Sequence, residues 1–196
     1  MNNSDSPDHF SISVIGLGNV FLGDDGFGPL AVETFRCQFA CGPDVEVLDL
    51  GTPGLDLAPY LYGRKLVIIV DAVHTSSPTG TVSVLHEEDF HSSRASLRIT
   101  GHDPGLWDTL THLRLADCGP SELIVIGAAP GSCAFGDGPG EGMLSLAWDA
   151  AAAIAQVLTS RGVLCDRSKV AHLPNLWWLP LAPSEPLTTS ELSAHA

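Results

Sequence analysis

The chain is 196 residues long, 44% apolar and 16% charged, with 9 basic against 23 acidic side chains and a formal charge of −14. A charged fraction below the roughly 25% of an average globular protein, with this much apolar material, excludes intrinsic disorder over most of the length. The acidic balance excludes nucleic acid as a partner, because a polyanion would be repelled. The length fits one domain that removes about 70% of its unfolded surface from water.

No run approaches the roughly 20 apolar residues that cross a bilayer. The start Met1-Asn2-Asn3-Ser4-Asp5 is polar and acidic, the opposite of a signal peptide's basic start. A cytoplasmic protein with no membrane partner is expected. The five cysteines, at 37, 41, 118, 133 and 165, are odd in number and scattered. That predicts reduced thiols acting as small buried apolar side chains, not a disulfide framework or a zinc site.

Residues 10–18 pass from alternation into a glycine turn, which predicts a strand ending there. Pro29 suits the first turn of a helix whose apolar face is Leu30, Ala31, Phe35 and Phe39, stopped by Gly42-Pro43. A second strand, Val45-Glu46-Val47-Leu48-Asp49-Leu50, runs into Gly51-Thr52-Pro53-Gly54 and a short helix near 55–62. The third strand, 66–73, is almost wholly apolar, the mark of a central strand covered on both faces. A fourth runs from Gly80 to Leu85; the link His74 to Thr79 is too short for a parallel crossover, so it should pair antiparallel with the third.

A polar loop is expected over 86–101, then a helix over 104–116 with Asp103 as its N-cap and Pro104 at its first position. A fifth strand covers 122–127, and glycine-rich residues 131–142 separate it from an alanine-rich helix over 143–159. Alternating strands and helices predict an α/β fold, a three-layer α/β/α sandwich around a mostly parallel twisted sheet of about five strands with one antiparallel strand. The expected division is a flexible tail over 1–10, the α/β domain over 11–165, and a Pro- and Trp-containing tail over 166–196. In that tail Trp177-Trp178 either packs back on the domain or docks a partner, since an exposed Trp pair seldom occurs without a contact.

Several motifs fail on physical grounds. Gly16-Leu17-Gly18-Asn19-Val20-Phe21 opens like a dinucleotide-binding turn, but Phe21 stands where the third glycine belongs and Asp24-Asp25 would repel a pyrophosphate. His86-Glu87-Glu88-Asp89-Phe90-His91 is one residue too long for a zinc-protease helix. Positions five apart diverge by roughly 140° at 100° per residue, so a solvated loop is expected. There is no G-x-S-x-G elbow, and Cys133 has no marked histidine partner.

What survives is a set of polar groups at strand ends. In a mostly parallel sheet, ligands gather beyond the carboxyl ends of the strands. Asp24 and Asp25 follow the first strand, Asp71 ends the third, and His102 stands just before a helix N-terminus that favours its neutral, metal-binding form. Two carboxylates and an imidazole suit a divalent transition ion with open positions and could equally run acid/base hydrolysis. Each has a structural alternative: an Asp24 or Asp25 helix cap, a hydrogen-bonded Asp71, or a locally packed His102.

Ile15-Gly16-Leu17-Gly18-Asn19 followed by Gly23-Asp24-Asp25-Gly26-Phe27-Gly28, then Gly51-Thr52-Pro53-Gly54-Leu55-Asp56, Val70-Asp71-Ala72-Val73 with Gly80-Thr81-Val82, and Gly101-His102 with Gly105-Leu106 and Leu110 form ordered blocks. Together they resemble the hydrogenase maturation proteases over about residues 11–160. The resemblance implies an endopeptidase that trims the C-terminal extension of a nickel–iron hydrogenase large-subunit precursor after nickel insertion. It implies Asp25, Asp71 and His102 as catalytic and metal-contacting residues, and Asn19, Asp24 and Thr52 as substrate-binding residues. The nickel would be carried by the substrate, with another divalent transition metal able to stand in for it in vitro. The large-subunit precursor would be the partner of a monomeric enzyme. The alternative is a non-catalytic checkpoint chaperone that binds the nickel-loaded subunit without cutting it. Two departures from the family pattern are Pro78-Thr79-Gly80, one residue longer than usual, and Gly127-Ala128-Ala129-Pro130, which lacks a glutamine.

Overall fold

The most apolar run of the chain becomes the spine of the sheet. In the computed structural model, which describes residues 11–53, 57–74, 80–92, 98–99, 103–168 and 174–179, this run is β4 (Leu66–His74), buried from Leu66 through Val73. A strand that opens with five consecutive Leu, Val and Ile residues has no polar face there to offer water, so both faces must be covered. On one side β4 pairs in parallel with β1 (Ile12–Leu17), and β1 pairs in parallel with β3 (Val45–Gly51). On the other side it pairs in parallel with β7 (Leu123–Ala128). The edge strand β5 (Val82–His86) runs antiparallel to β7, giving the order β3-β1-β4-β7-β5.

The alternation of side chains along these strands sorts the core into two layers. Val14, Ile68, Val70, Ile124 and Ile126 face α1 (Phe27–Gln38) and α5 (Met143–Ser160). Ile15, Val67, Ile69, Val73 and Val125 face α2 (Ala58–Leu61) and α4 (Asp103–Leu115), where they meet Leu61, Leu106 and Leu110. This is the expected three-layer α/β/α sandwich. By length and composition α5 could cross a membrane, but half of it is buried, and its Ala147, Ala150, Ala151 and Ile154 pack in the same layer as the α1 residues Leu30, Ala31 and Phe35.

Three local expectations are corrected. The strand after β4 is antiparallel as foreseen, yet its partner is β7 and not β4, because β1 and β7 already occupy both sides of β4. The expected polar loop contains a short helix, α3 (Glu87–Ser92), and a two-residue strand, β6 (Arg98–Ile99), which pairs antiparallel with the end of β4. The His86 backbone N–H donates to the Asp89 carboxylate at 2.7 Å, so the acidic run starts the helix instead of floating in solvent. The first long helix stops at Gln38; Phe39 belongs to β2 (Phe39–Cys41), which pairs antiparallel with β8 (Cys165–Arg167). That small ribbon straddles the expected start of the C-terminal tail at 166. The expected tail over 1–10 and the residues after 179 lie outside the described residues.

Gly28 sets how closely α1 approaches the sheet. A Cβ there would lie 2.1 Å from the Leu17 carbonyl oxygen and 2.3 Å from that of Val70, both backbone atoms of packed strands. Neither strand can yield without breaking its ladder. Gly28→Ala is therefore expected to cost about 3–5 kcal/mol of stability, measurable by urea denaturation, as overpacking against backbone does in a close-packed interior.

Candidate functional site

The site is built at the carboxyl ends of β1 and β4. After β1 the chain turns back through a 3₁₀ turn, Gly23–Gly26, that carries Asp24 and Asp25 and leads directly into α1. The turn can sit against the strand end because Gly18 lacks a side chain: a Cβ there would meet the Asp25 carbonyl oxygen at 1.9 Å, and its φ of 137° is one that L side chains rarely adopt. The Asp25 carboxylate, 5% exposed, accepts the Asn19 backbone N–H at 2.9 Å. The Asn19 side chain in turn accepts the Phe21 N–H at 3.0 Å, closing the turn.

The adjacent Asp24 faces a different task. Its Oδ2 accepts the N–H groups of Gly131 (2.7 Å) and Ser132 (3.2 Å), and its Oδ1 accepts that of Gly140 (2.6 Å). Backbone bonds reinforce this clamp: Asp24 N–H to Ser132, Gly23 N–H to Asp137 and Gly136 N–H to Phe21. The glycine-rich segment after β7 is thus fastened to the turn after β1. Asp24, expected to bind substrate, has both carboxylate oxygens engaged by its own chain.

Asp71 lies on β4 in register with Gly127 of β7 and has no exposed surface. Its carboxylate accepts the Ala72 N–H at 2.7 Å. By strand alternation it belongs with Val67, Ile69 and Val73, on the face covered by α4. Val73 is the Cα partner of Ile99 in β6, and α4 begins at Asp103. His102, between those two elements, lies outside the described residues, as does the side chain of Asp103 expected to cap α4. Among the described residues no group of three His, Cys, Asp or Glu is close enough to hold a metal ion.

Cys133 was set aside as a nucleophile and expected to be buried with the other thiols; it is exposed and belongs to this site. Its thiol is pushed up in pKa, first by partial desolvation and then by the charges of Asp25 and Asp24, with a smaller contribution from Asp71; an Asp25 backbone hydrogen bond offsets this in part. The turn that carries Asp24 and Asp25 packs against β4, the strand of Asp71, so the thiol lies in a negatively charged neighbourhood. A thiol held in its neutral form is a poor nucleophile, so the arrangement does not suit a cysteine protease. Gly131 and Gly140, on either side of Cys133 in the chain, are 107 and 116 residues from the Asp24 carboxylate they bind, a separation no local pattern could reveal.

Asn19 and Thr52 line a cleft of about 470 Å³ together with Phe21, Pro29, Asp49 and Trp177. Trp177 reaches this cleft from the C-terminal segment and meets Phe21 edge-on, ring centres 6.3 Å apart. The two residues are 67% and 53% exposed, while the neighbouring Trp178 packs against the α1/α5 layer. The segment is also held by the Asn175 N–H, which donates to Glu33 of α1 at 3.0 Å. Trp178 thus fits the packing reading, while Trp177 stays exposed at the rim of the cleft.

The family model of hydrogenase maturation proteases (HycI) matches residues 29–147. The chain belongs to the hydrogenase maturation protease family. The matched stretch contains Asp71 and His102, while Asp25 stands just before it. The hydrogenase 2 maturation protease of Escherichia coli is 34% identical over 122 residues, covering 62% of this chain and 74% of that protein. The hydrogenase expression/formation protein HupD of Rhodobacter capsulatus is 32% identical over 119 residues, covering 61% of this chain and 57% of the relative. The alignment thus spans little more than half of that relative's length. In structure, the hydrogenase maturating endopeptidase HybD from Escherichia coli superposes with a TM-score of 0.72 at 29% identity, covering 80% of this chain and 96% of that one. A maturation protease HybD from Thermococcus kodakarensis, at 24% identity and a TM-score of 0.61, shares the fold.

Proposed function

We propose that the chain is an endopeptidase that removes the C-terminal extension of a nickel–iron hydrogenase large-subunit precursor after nickel insertion, and that Asp25, Asp71 and His102 contact the nickel carried by that substrate. The reading is carried by one observation: in a member of this family, two buried carboxylates belong to neighbouring parallel strands, Asp25 in the turn after β1 and Asp71 toward the carboxyl end of β4. Carboxylate and imidazole donors suit a divalent transition ion, and a set too small to hold one alone can complete the coordination of an ion whose other ligands arrive with the substrate. The ion would polarise the scissile carbonyl or lower the pKa of an attacking water.

Because Asp71 has no exposed surface, substrate binding must open the cover over the end of β4. Closure around the cleavage site would then exclude water. Asn19 and Thr52 would contact the substrate chain in the cleft beside Asp25, and Asp24 would act by holding the glycine-rich wall in place. Phe21 and Trp177, aromatic and exposed at the rim of that cleft, would anchor an apolar part of the precursor. Trp177→Ala is expected to weaken precursor binding about 10-fold, in line with the loss of one aromatic anchor, with little change in Tm. Calorimetric titration with the nickel-loaded precursor checks it, and unchanged affinity would leave Trp177 with packing alone.

The function itself is tested by incubating the protein with nickel-loaded and nickel-free precursor and weighing the large subunit by mass spectrometry. Loss of a C-terminal peptide from the loaded form alone is the expected result. A stable complex with no change in mass would instead support the checkpoint chaperone.

A further inference from the structure

We propose that Cys41 and Cys165 are a disulfide-forming pair that locks the β2–β8 ribbon when the protein meets a disulfide oxidant. The two residues are direct Cα partners in the antiparallel ladder, and their sulfurs are 3.1 Å apart. Facing residues of such a ladder have Cα atoms about 4.5 or 5.5 Å apart, and both spacings fall inside the roughly 4.4–6.8 Å window of protein disulfides. Closure therefore needs rotation of the two side chains and no shift of the strands. The other described pairs of the ribbon are Phe39 with Arg167 and Ala40 with Asp166, which offer no competing thiol.

The step balances with glutathione disulfide as oxidant. Cys41 donates its S–H to the Cys165 sulfur; burial, helped by this bond, raises Cys41 to about 12, while the same bond eases deprotonation of Cys165 against the burial that opposes it. The Cys165 thiolate is thus the attacking group; it displaces one glutathione as thiolate and forms a mixed disulfide. Cys41, losing its proton, then attacks the Cys165 sulfur and releases the second glutathione. Two electrons pass from the protein thiols to glutathione disulfide, and the two thiol protons end on the two glutathione thiols.

The bond closes a loop from 41 to 165 that contains β3 through α5, so it constrains the unfolded chain over most of the domain. It also fastens β8, the last strand before the segment that carries Trp177 to the cleft. A three-residue ribbon opens readily by local unfolding, and the cross-link removes that opening.

The test treats the full-length protein with glutathione disulfide and maps the products by peptide mass spectrometry without reduction. The expected product joins the Cys41 and Cys165 peptides, with three of the five cysteines still titrating as thiols. It should show a Tm raised by about 5–15 °C and slower amide exchange at 39–41 and 165–167. Cys41→Ala should stall at a lasting glutathione adduct on Cys165. Five titratable thiols after oxidation, a cross-link through Cys37, Cys118 or Cys133, or an unchanged Tm in the cross-linked form would each overturn the proposal.

Discussion

Asp25→Asn is expected to reduce processing of the nickel-loaded precursor by at least about 10³-fold, the scale on which loss of a charge at the reacting centre acts, while Tm stays within a few degrees of the parent. The substitution keeps size and shape. An amide oxygen can still accept the Asn19 N–H that now reaches the carboxylate at 2.9 Å, so the turn behind β1 keeps its internal bond. What disappears is the negative charge that would meet a divalent ion delivered by the substrate. Cleavage followed by mass spectrometry, beside a calorimetric Tm, separates the two effects. A variant that cuts within 10-fold of the parent would assign Asp25 to the turn. A variant that unfolds would do the same.

The fold was legible wherever a segment's neighbours are implied by its own pattern. The almost wholly apolar run of β4 announced a covered central strand, and residues 66–73, Asp71 among them, are all buried. Pro29, the glycine-rich break over 131–142 and the alanine-rich stretch behind it placed α1 and α5 closely. The failures share a cause: each depended on a partner distant in the chain. The strand after β4 looked like half of a hairpin because the link is short, but β7, which comes only after α3, β6 and α4, takes the adjacent place. β2 read as the end of a helix because Phe39 continues its apolar face, and only β8 supplies the ladder that makes it a strand.

The site shows the same boundary. Sequence placed Asp24 and Asp25 after the first strand, where they stand, but Asp71, read as ending its strand, lies within β4 in register with Gly127. It had no means of dividing work between Asp24 and Asp25, since identical neighbours in a turn differ only in what approaches them. Cys133 had no local signal at all. Its motif is three unremarkable residues, and its proximity to the carboxylates exists because the loop after β7 folds back over the turn after β1. Trp177 likewise acquires meaning from Phe21, which precedes it by most of the chain.

Asp24 provides the opposite expectation to its neighbour. Asp24→Ala should lower stability by about 3–5 kcal/mol and Tm by about 10 °C, and lose processing as a consequence. The carboxylate is 5% exposed, and the N–H groups of Gly131, Ser132 and Gly140 converge on it. A hydrogen bond to a charged group contributes about 1.5–3 kcal/mol. The three donor residues are themselves exposed, so water takes up part of the lost bonding, which is why the expected cost stays below the sum for three bonds. Asp24→Asn sharpens the contrast. The carboxylate uses both oxygens as acceptors, Oδ1 toward Gly140 and Oδ2 toward Gly131 and Ser132, so an amide must turn its NH₂ group toward a backbone N–H whichever way it flips. A conservative change harmless to the fold at 25 should therefore be damaging at 24. Urea denaturation of the two Asn variants, with hydrogen exchange over 131–140 reporting release of the loop, measures the difference. Equal stability of the two variants would contradict a clamp at Asp24.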